Sequence, residues 1–187
     1  MSDARVHLLP ALLLLTGVLC LGSPQSHAQR AAASVDSTAS VIDYTGSATL
    51  HDWTGTSRRV SGTLVIDVDA PGNSRVRLRA PVASFDSGIE ARDENMREVT
   101  EADQYPFVSF RTTDIRPTVW GRSSDGHSGR WEVTGDLTFH GQTHQVEASV
   151  NVRVTADSVR ARAQFPVSLT RFGVERPGLV WGVAPVD

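Results

Sequence analysis

The chain has 187 residues and a mass of 20.2 kDa, room for one domain with a sizeable core and too little for two ordinary ones. A formal net charge of −3 and a pI of about 6.0 argue against a general nucleic-acid binder, which would carry a basic stripe. The single cysteine excludes an intramolecular disulfide and a cysteine-based zinc cage, and all 18 basic residues are arginine.

Residues 1–28 have the layout of a secretory signal peptide. Arg5 lies in a short polar start, and an apolar run from Leu8 to Leu21 follows. Gly22, Ser23 and Pro24 then break it, and Ser26-His27-Ala28 offers small residues for cleavage. The run is short for a membrane span, which needs about 20 residues. Leu19 before Cys20 departs from a lipoprotein signal, which places a small residue there. Residues 29–40 are rich in Ala and Ser and read as a flexible lead-in. The domain itself is expected over 41–187, in an exported protein, periplasmic or secreted.

From there the sequence alternates with the period of half-buried strands. Leu64, Ile66 and Val68 share one face. In the run 75–82, Val76, Leu78, Ala80 and Val82 face one way, and Arg75, Arg77 and Arg79 face the other. Val108, Phe110 and Thr112 form a further face, as do Trp131, Val133, Leu137 and Phe139. Val146, Ala148, Val150, Val152 and Val154 predict a long strand, and Val159, Ala161, Ala163 and Phe165 one more. Turn signals separate the runs at 71–74, 123–126, 141–143 and 156–157, and residues 121–129 read as a mobile hairpin loop. Such a meander buries its apolar face by curling into a barrel.

Residues 87–103 break the alternation. Ile89, Met96 and Val99 recur at helical offsets among charged residues, and Ser87 with Glu90 makes a capping-box pattern. One or two short helices are expected near 88–103, ended before Pro106; a charged surface loop is the other reading.

Four segments together resemble the YceI-like family of secreted, lipocalin-like barrels that bind polyisoprenoids. They are His51-Asp-Trp-Thr-Gly55 with the strand 60–66; Ser84-Phe-Asp-Ser-Gly88 with Arg92-Asp93, Met96 and the run Tyr105-Pro-Phe-Val-Ser-Phe110; Gly135-Asp-Leu-Thr-Phe-His-Gly-Gln-Thr143; and 165–174, similar to a late strand ending in an aromatic-Gly pair. The resemblance covers about 41–186 and implies an all-β fold, an antiparallel lipocalin-like β-barrel of about eight strands with the short helices inserted. Only 179–187 remain for a closing strand.

The resemblance further implies a non-catalytic role: binding or carriage of a polyisoprenoid, quinone-like or related amphiphilic lipid inside the barrel, with no other cofactor. Small barrels are either filled by side chains or hold one small ligand. A filled-barrel structural or interaction module, associated with a membrane redox or stress system, is the alternative. Interior lining is expected from Leu64, Ile66, Val82, Phe85, Met96, Val108, Phe110, Trp131, Leu137, Phe139, Ala148, Ala163 and Phe165, and a polar mouth from His51, Arg92 and Asp93. Expected partners are the lipid and a transient membrane surface, with no nucleic acid, in a monomer or homodimer.

Other chemistry is weaker. His140 and His144 are four residues apart, but across a Gly-containing turn they lose the geometry of a helical metal pair and read as solvated. The polar-loop His127 has the same reading. No Gly-x-Ser-x-Gly elbow supports a hydrolase. Glu94, Glu98 and Glu101 alternate with Arg97 as a salt-bridged face would. The arginine row at 75, 77 and 79 either keeps a sheet face soluble or attracts acidic head groups.

Overall fold

The computed structural model describes residues 30–47 and 52–174. The signal-peptide segment, His51 and the expected closing strand lie outside these residues. Nine strands and one α-helix are described: β1 (Arg30–Ser34), β2 (Ile42–Ser47), β3 (Asp52–Ser57), β4 (Ser61–Asp67), β5 (Arg75–Pro81), α1 (Glu90–Val99), β6 (Phe107–Ser123), β7 (Gly126–Phe139), β8 (Gln142–Thr155) and β9 (Val159–Gln164).

Seven strands form one antiparallel sheet in the order β1-β4-β5-β6-β7-β8-β9, curled into a half-barrel, and β2 and β3 form a separate two-stranded ribbon. The antiparallel barrel architecture is as expected. Among the described residues the sheet does not close by strand pairing, and β1 and β9 are its two ends. Part of the expected lead-in is strand: 30–34 pairs with 63–67, placing Ala31 opposite Ile66 and Ala33 opposite Leu64. Small residues at these positions give no apolar alternation to read, so the sequence shows a tail where the structure has an edge strand.

The curl has local causes. β6 runs for 17 residues, and its register against β7 shifts between Thr112 and Asp114 and again between Pro117 and Val119. Each shift inserts an extra residue, which bends the strand and increases its twist. Pro117 cannot donate to the ladder, so a position beside an irregularity suits it. A short 3₁₀ turn at Pro71–Asn73 sits against this stretch of β6, and the Trp120 indole Nε1–H donates to the Val68 carbonyl at 2.9 Å.

Two hairpin turns are tight. Ser123 pairs with Gly126, so the expected mobile loop at 121–129 is almost wholly ladder, with Trp120 opposite Gly129 and Arg122 opposite His127. Polar composition predicted a loop there, yet Trp120 and His127 stack at 5.7 Å and hold the ribbon. Phe139 pairs with Gln142, and His140 (φ 48°) and Gly141 (φ 71°) make the two-residue turn between them. Positive φ at both central positions matches the twist of the flanking strands, and Gly at the second relieves half the strain.

The helix falls inside the expected 88–103 window, but its cap differs. Ile89 is the N-cap residue, with no side-chain cap, and Ser87 does not perform that role. Instead the Ser87 N–H donates to both carboxylate oxygens of Asp93, at 3.0 and 3.1 Å. Ile89 is half exposed rather than on a packed stripe. Arg97 pairs with Glu90 at 2.6 Å along the solvent side. The β2–β3 ribbon attaches through reciprocal backbone hydrogen bonds between Thr56 and Asp86, at 2.9 and 3.0 Å.

Candidate functional site: the concave face

Strand alternation sets which side chains enter the curl. One cross-strand row runs Leu78, Phe110, Leu137 and His144; further along, Val133 faces Ala148, and Trp131 faces Val150, which in turn faces Ala163. Gly135 has a specific reason to be glycine. The Phe110 ring lies where its side chain would be, so a Cβ would collide with the ring and with the Arg111 carbonyl.

The two ends of this face differ. At one, Ile66, Val68, Ile115, Trp131, Val133, Val152 and Val154 are a closed apolar cluster, with Leu64, Phe110, Trp120, Val150 and Val159 packed around it. Trp131 is only 2% exposed, and its Nε1–H is buried without a hydrogen-bond partner among the described residues. Toward the other end, Leu78, Val108, Phe110, Phe139, Val146 and Ala148 are only half buried. The face is therefore filled at one end and an apolar trough at the other.

The predicted lining residues divide accordingly. Ile66, Trp131 and Leu137 are buried on the sheet, and Leu64, Val108, Phe110, Phe139 and Ala148 are half buried there. Ala163 sits on the end strand β9 and is exposed, so it does not line a covered interior. Phe165 follows β9 and is half buried. Val82 and Phe85 are buried off the sheet, in and after a 3₁₀ turn at Val82–Ser84, where Phe85 meets Tyr44 of β2 edge-to-face at 5.6 Å. Both are expected in the barrel interior; the short turn after Pro81 takes them off the sheet and brings Phe85 to the ribbon. Met96 is half buried on α1.

At the expected mouth, Asp93 is 4% exposed and fastens the start of α1 to the preceding loop, a structural bond that occupies both oxygens. Arg92, half buried, neighbours it on the helix.

Sequence reasoning missed a plug over the end of the β7–β8 hairpin. Leu169–Phe172 is a 3₁₀ turn closed by Gly173 at φ 73°, not the end of a strand. It presents Phe172, 2% exposed, to Phe139 (5.9 Å) and His144 (4.8 Å). His140 Nδ1–H donates to the Phe172 carbonyl at 2.9 Å, its Nε2 lies 3.5 Å from Glu101, and Tyr105 stands edge-on to its ring. The turn histidines are thus packed against aromatic rings rather than solvated. The aromatic-Gly pair signalled this plug, but a left-handed cap after a short turn looks like a strand end when only spacing is read. Among the described residues, no group of three or more His, Cys, Asp or Glu could hold a metal, and no helix is long and apolar enough to cross a membrane.

Comparison with known proteins agrees with this architecture. A family model described as "YceI-like domain" matches residues 34–186. A UPF0312 protein of Pseudomonas fluorescens Pf-5 is 28% identical over 95 residues, covering 50% of this chain and 46% of that one. Thus the chain spans about half that relative's length. A UPF0312 protein of Pseudomonas syringae pv. tomato is 27% identical over 145 residues, covering 73% and 70%. Among solved structures, BcnA of Burkholderia cenocepacia superposes with a TM-score of 0.66 at 22% identity, covering 75% of this chain and 84% of that one. A polyisoprenoid binding domain from Saccharophagus degradans superposes with a TM-score of 0.60 at 20% identity, covering 76% and 80%. At these identities the structural likeness concerns the fold, while the family match runs over most of the sequence: the chain belongs to the YceI-like family.

Proposed function

We propose that the chain binds a polyisoprenoid or related amphiphilic lipid along its concave face, as an exported carrier and not as a catalyst. One observation carries the reading. Apolar side chains aimed into the curl, among them Leu78, Val108, Phe110 and Phe139, remain half exposed beside a closed apolar floor. Covering such a trough with an acyl or isoprenoid chain gains roughly 0.8 kcal/mol per buried methylene, before the cost of ordering the tail. The fold likeness to a domain described as polyisoprenoid binding supports the ligand class. The histidines at 127, 140 and 144 each lie against an aromatic ring, an arrangement suited to packing more than to proton transfer.

The test is organic extraction of the protein purified from its host, followed by mass spectrometry. A stoichiometric isoprenoid or quinone-like lipid is the expected result. A lipid-free extract from folded, monodisperse protein would sink the carrier reading. It would favour the filled-barrel module, to which the closed cluster around Trp131 and Val152 already lends an observation.

A further inference from the structure

The convex face carries a second feature, a groove that also takes in Leu78 and Phe110 of the trough strands. Arg77, Arg79 and Arg111 meet there in a groove of about 640 Å³, with hydroxyl-bearing Ser61, Thr63, Ser109 and Thr138 along its walls and Asp136 as its one carboxylate. This is a local surplus of positive charge on a molecule whose formal net charge is −3. Cross-strand pairing places Arg77 directly opposite Arg111. Like charges in that position are unfavourable. Arg111 is offset by Asp136 at 2.7 Å, but Arg77 has no ion-pair or hydrogen-bond partner among the described residues. Arg79 lies over the Phe107 ring, 4.8 Å from its centroid, which holds the guanidinium near the groove.

Opposed arginines also occur at Arg153 and Arg160, where Asp125 holds Arg153, so opposition alone does not mark a site; the groove with its hydroxyls and apolar rim sets apart Arg77 and Arg111. An anion between them would offset the repulsion and accept hydrogen bonds from guanidinium and hydroxyl groups. The surroundings select the kind of anion. Phe107 and Val65, 42% and 37% exposed, flank the arginines with apolar surface that a free anion in water does not require. The groove is also wider than one phosphate fills. Basic groups beside exposed apolar side chains fit a lipid interface, where head-group phosphates and acyl carbons lie within a few ångströms of each other. We infer that this convex-face groove docks the protein on an anionic membrane, Arg77, Arg79 and Arg111 taking head-group phosphates and Phe107 resting at the acyl boundary.

The experiment is co-sedimentation of the purified chain with vesicles of phosphatidylglycerol and phosphatidylcholine, and separately with phosphatidylcholine alone, at fixed salt. Binding is expected to the anionic vesicles, with at least tenfold weaker binding to the neutral ones. The pair Arg77→Gln and Arg79→Gln should weaken it about 25-fold, each arginine near such a surface being worth about a factor of five. This change removes the Arg77–Arg111 repulsion together with the exposed Arg79–Phe107 contact, so the thermal midpoint should move little. Phe107→Ser, which keeps every charge, should weaken binding several-fold. Arg160→Gln with Arg162→Gln, on the outer side of β9, is the comparison for diffuse attraction and should change binding less than threefold.

Equal binding to both vesicle types would overturn the inference. Unchanged affinity in the Arg77/Arg79 and Phe107 variants, or an equal loss in the Arg160/Arg162 variant, would do so too. Saturable uptake of inorganic phosphate without vesicle binding would assign the groove to a free anion instead. None of these outcomes bears on the concave face, whose occupancy is read by extraction.

Discussion

Asp67 and Asp93 are both buried, and each holds a turn together through its carboxylate. Asp67 accepts the Ala70 N–H at 2.8 Å and Arg30 Nε at 3.0 Å, while its own N–H donates to Ser74. The Ala70 hydrogen bond, and after it the Arg30 bond, holds this carboxyl below the usual range. A depressed folded-state pKa adds stability that is fully present above the unfolded value, near pH 4, and is lost as the pH falls further. Urea midpoints should therefore drop as the pH is lowered below about 4, and Asp67→Asn should flatten part of that acid limb while lowering stability at neutral pH. Asp93→Ala would leave the Ser87 N–H without its partner and should cost about 1–3 kcal/mol by denaturant unfolding, Asn recovering part of it. Neither role was legible in the sequence. Asp93 stands among charged helix residues and reads as a mouth or surface group, because composition records a charge but not the backbone N–H aimed at it. The arginine row at 75, 77 and 79 was legible, since strand period alone puts it opposite Val76, Leu78 and Ala80.

At the level of elements, alternation located β4, β5, β8, β9, most of β7 and the first third of β6, and failed where burial does not alternate. Strand β1 was hidden by its alanines, and the hairpin at 121–129 by its glycines and serines. The plug at 169–172 was hidden by its length, since one turn offers no period to detect. Its importance follows from what it covers. Phe172 closes over Phe139 and His144, and its carbonyl is the acceptor for His140 in the strained β7–β8 turn. Phe172→Ala should lower stability by about 3–5 kcal/mol, the range for emptying a buried aromatic site. Hydrogen exchange in the variant should accelerate at 169–174 and around 139–142 together. Faster exchange at the plug alone would mean that the turn holds its geometry without it.

Over the whole molecule, the contrast between a filled end and an open trough gives opposite expectations for enlarging a residue on the same face. Val152 belongs to the closed cluster, so Val152→Trp overpacks it and should cost about 1–3 kcal/mol or more. Ala148, half buried opposite Val133, borders the trough. Ala148→Trp should leave thermal stability unchanged or higher and reduce the lipid recovered on extraction. An equal loss of stability in both variants would show the trough to be as filled as the cluster. Sheet order also has a consequence in time. From β4 to β9 every strand pairs with the next one in the chain, so ladder can grow strand by strand, through tight turns in the β6–β7 and β7–β8 hairpins and a longer connection carrying α1 between β5 and β6. Only β1 pairs across an intervening ribbon, with β4. A chain emerging amino end first would thus carry β1 unpaired until β4 appears, and thereafter could assemble its sheet in the order in which its residues arrive.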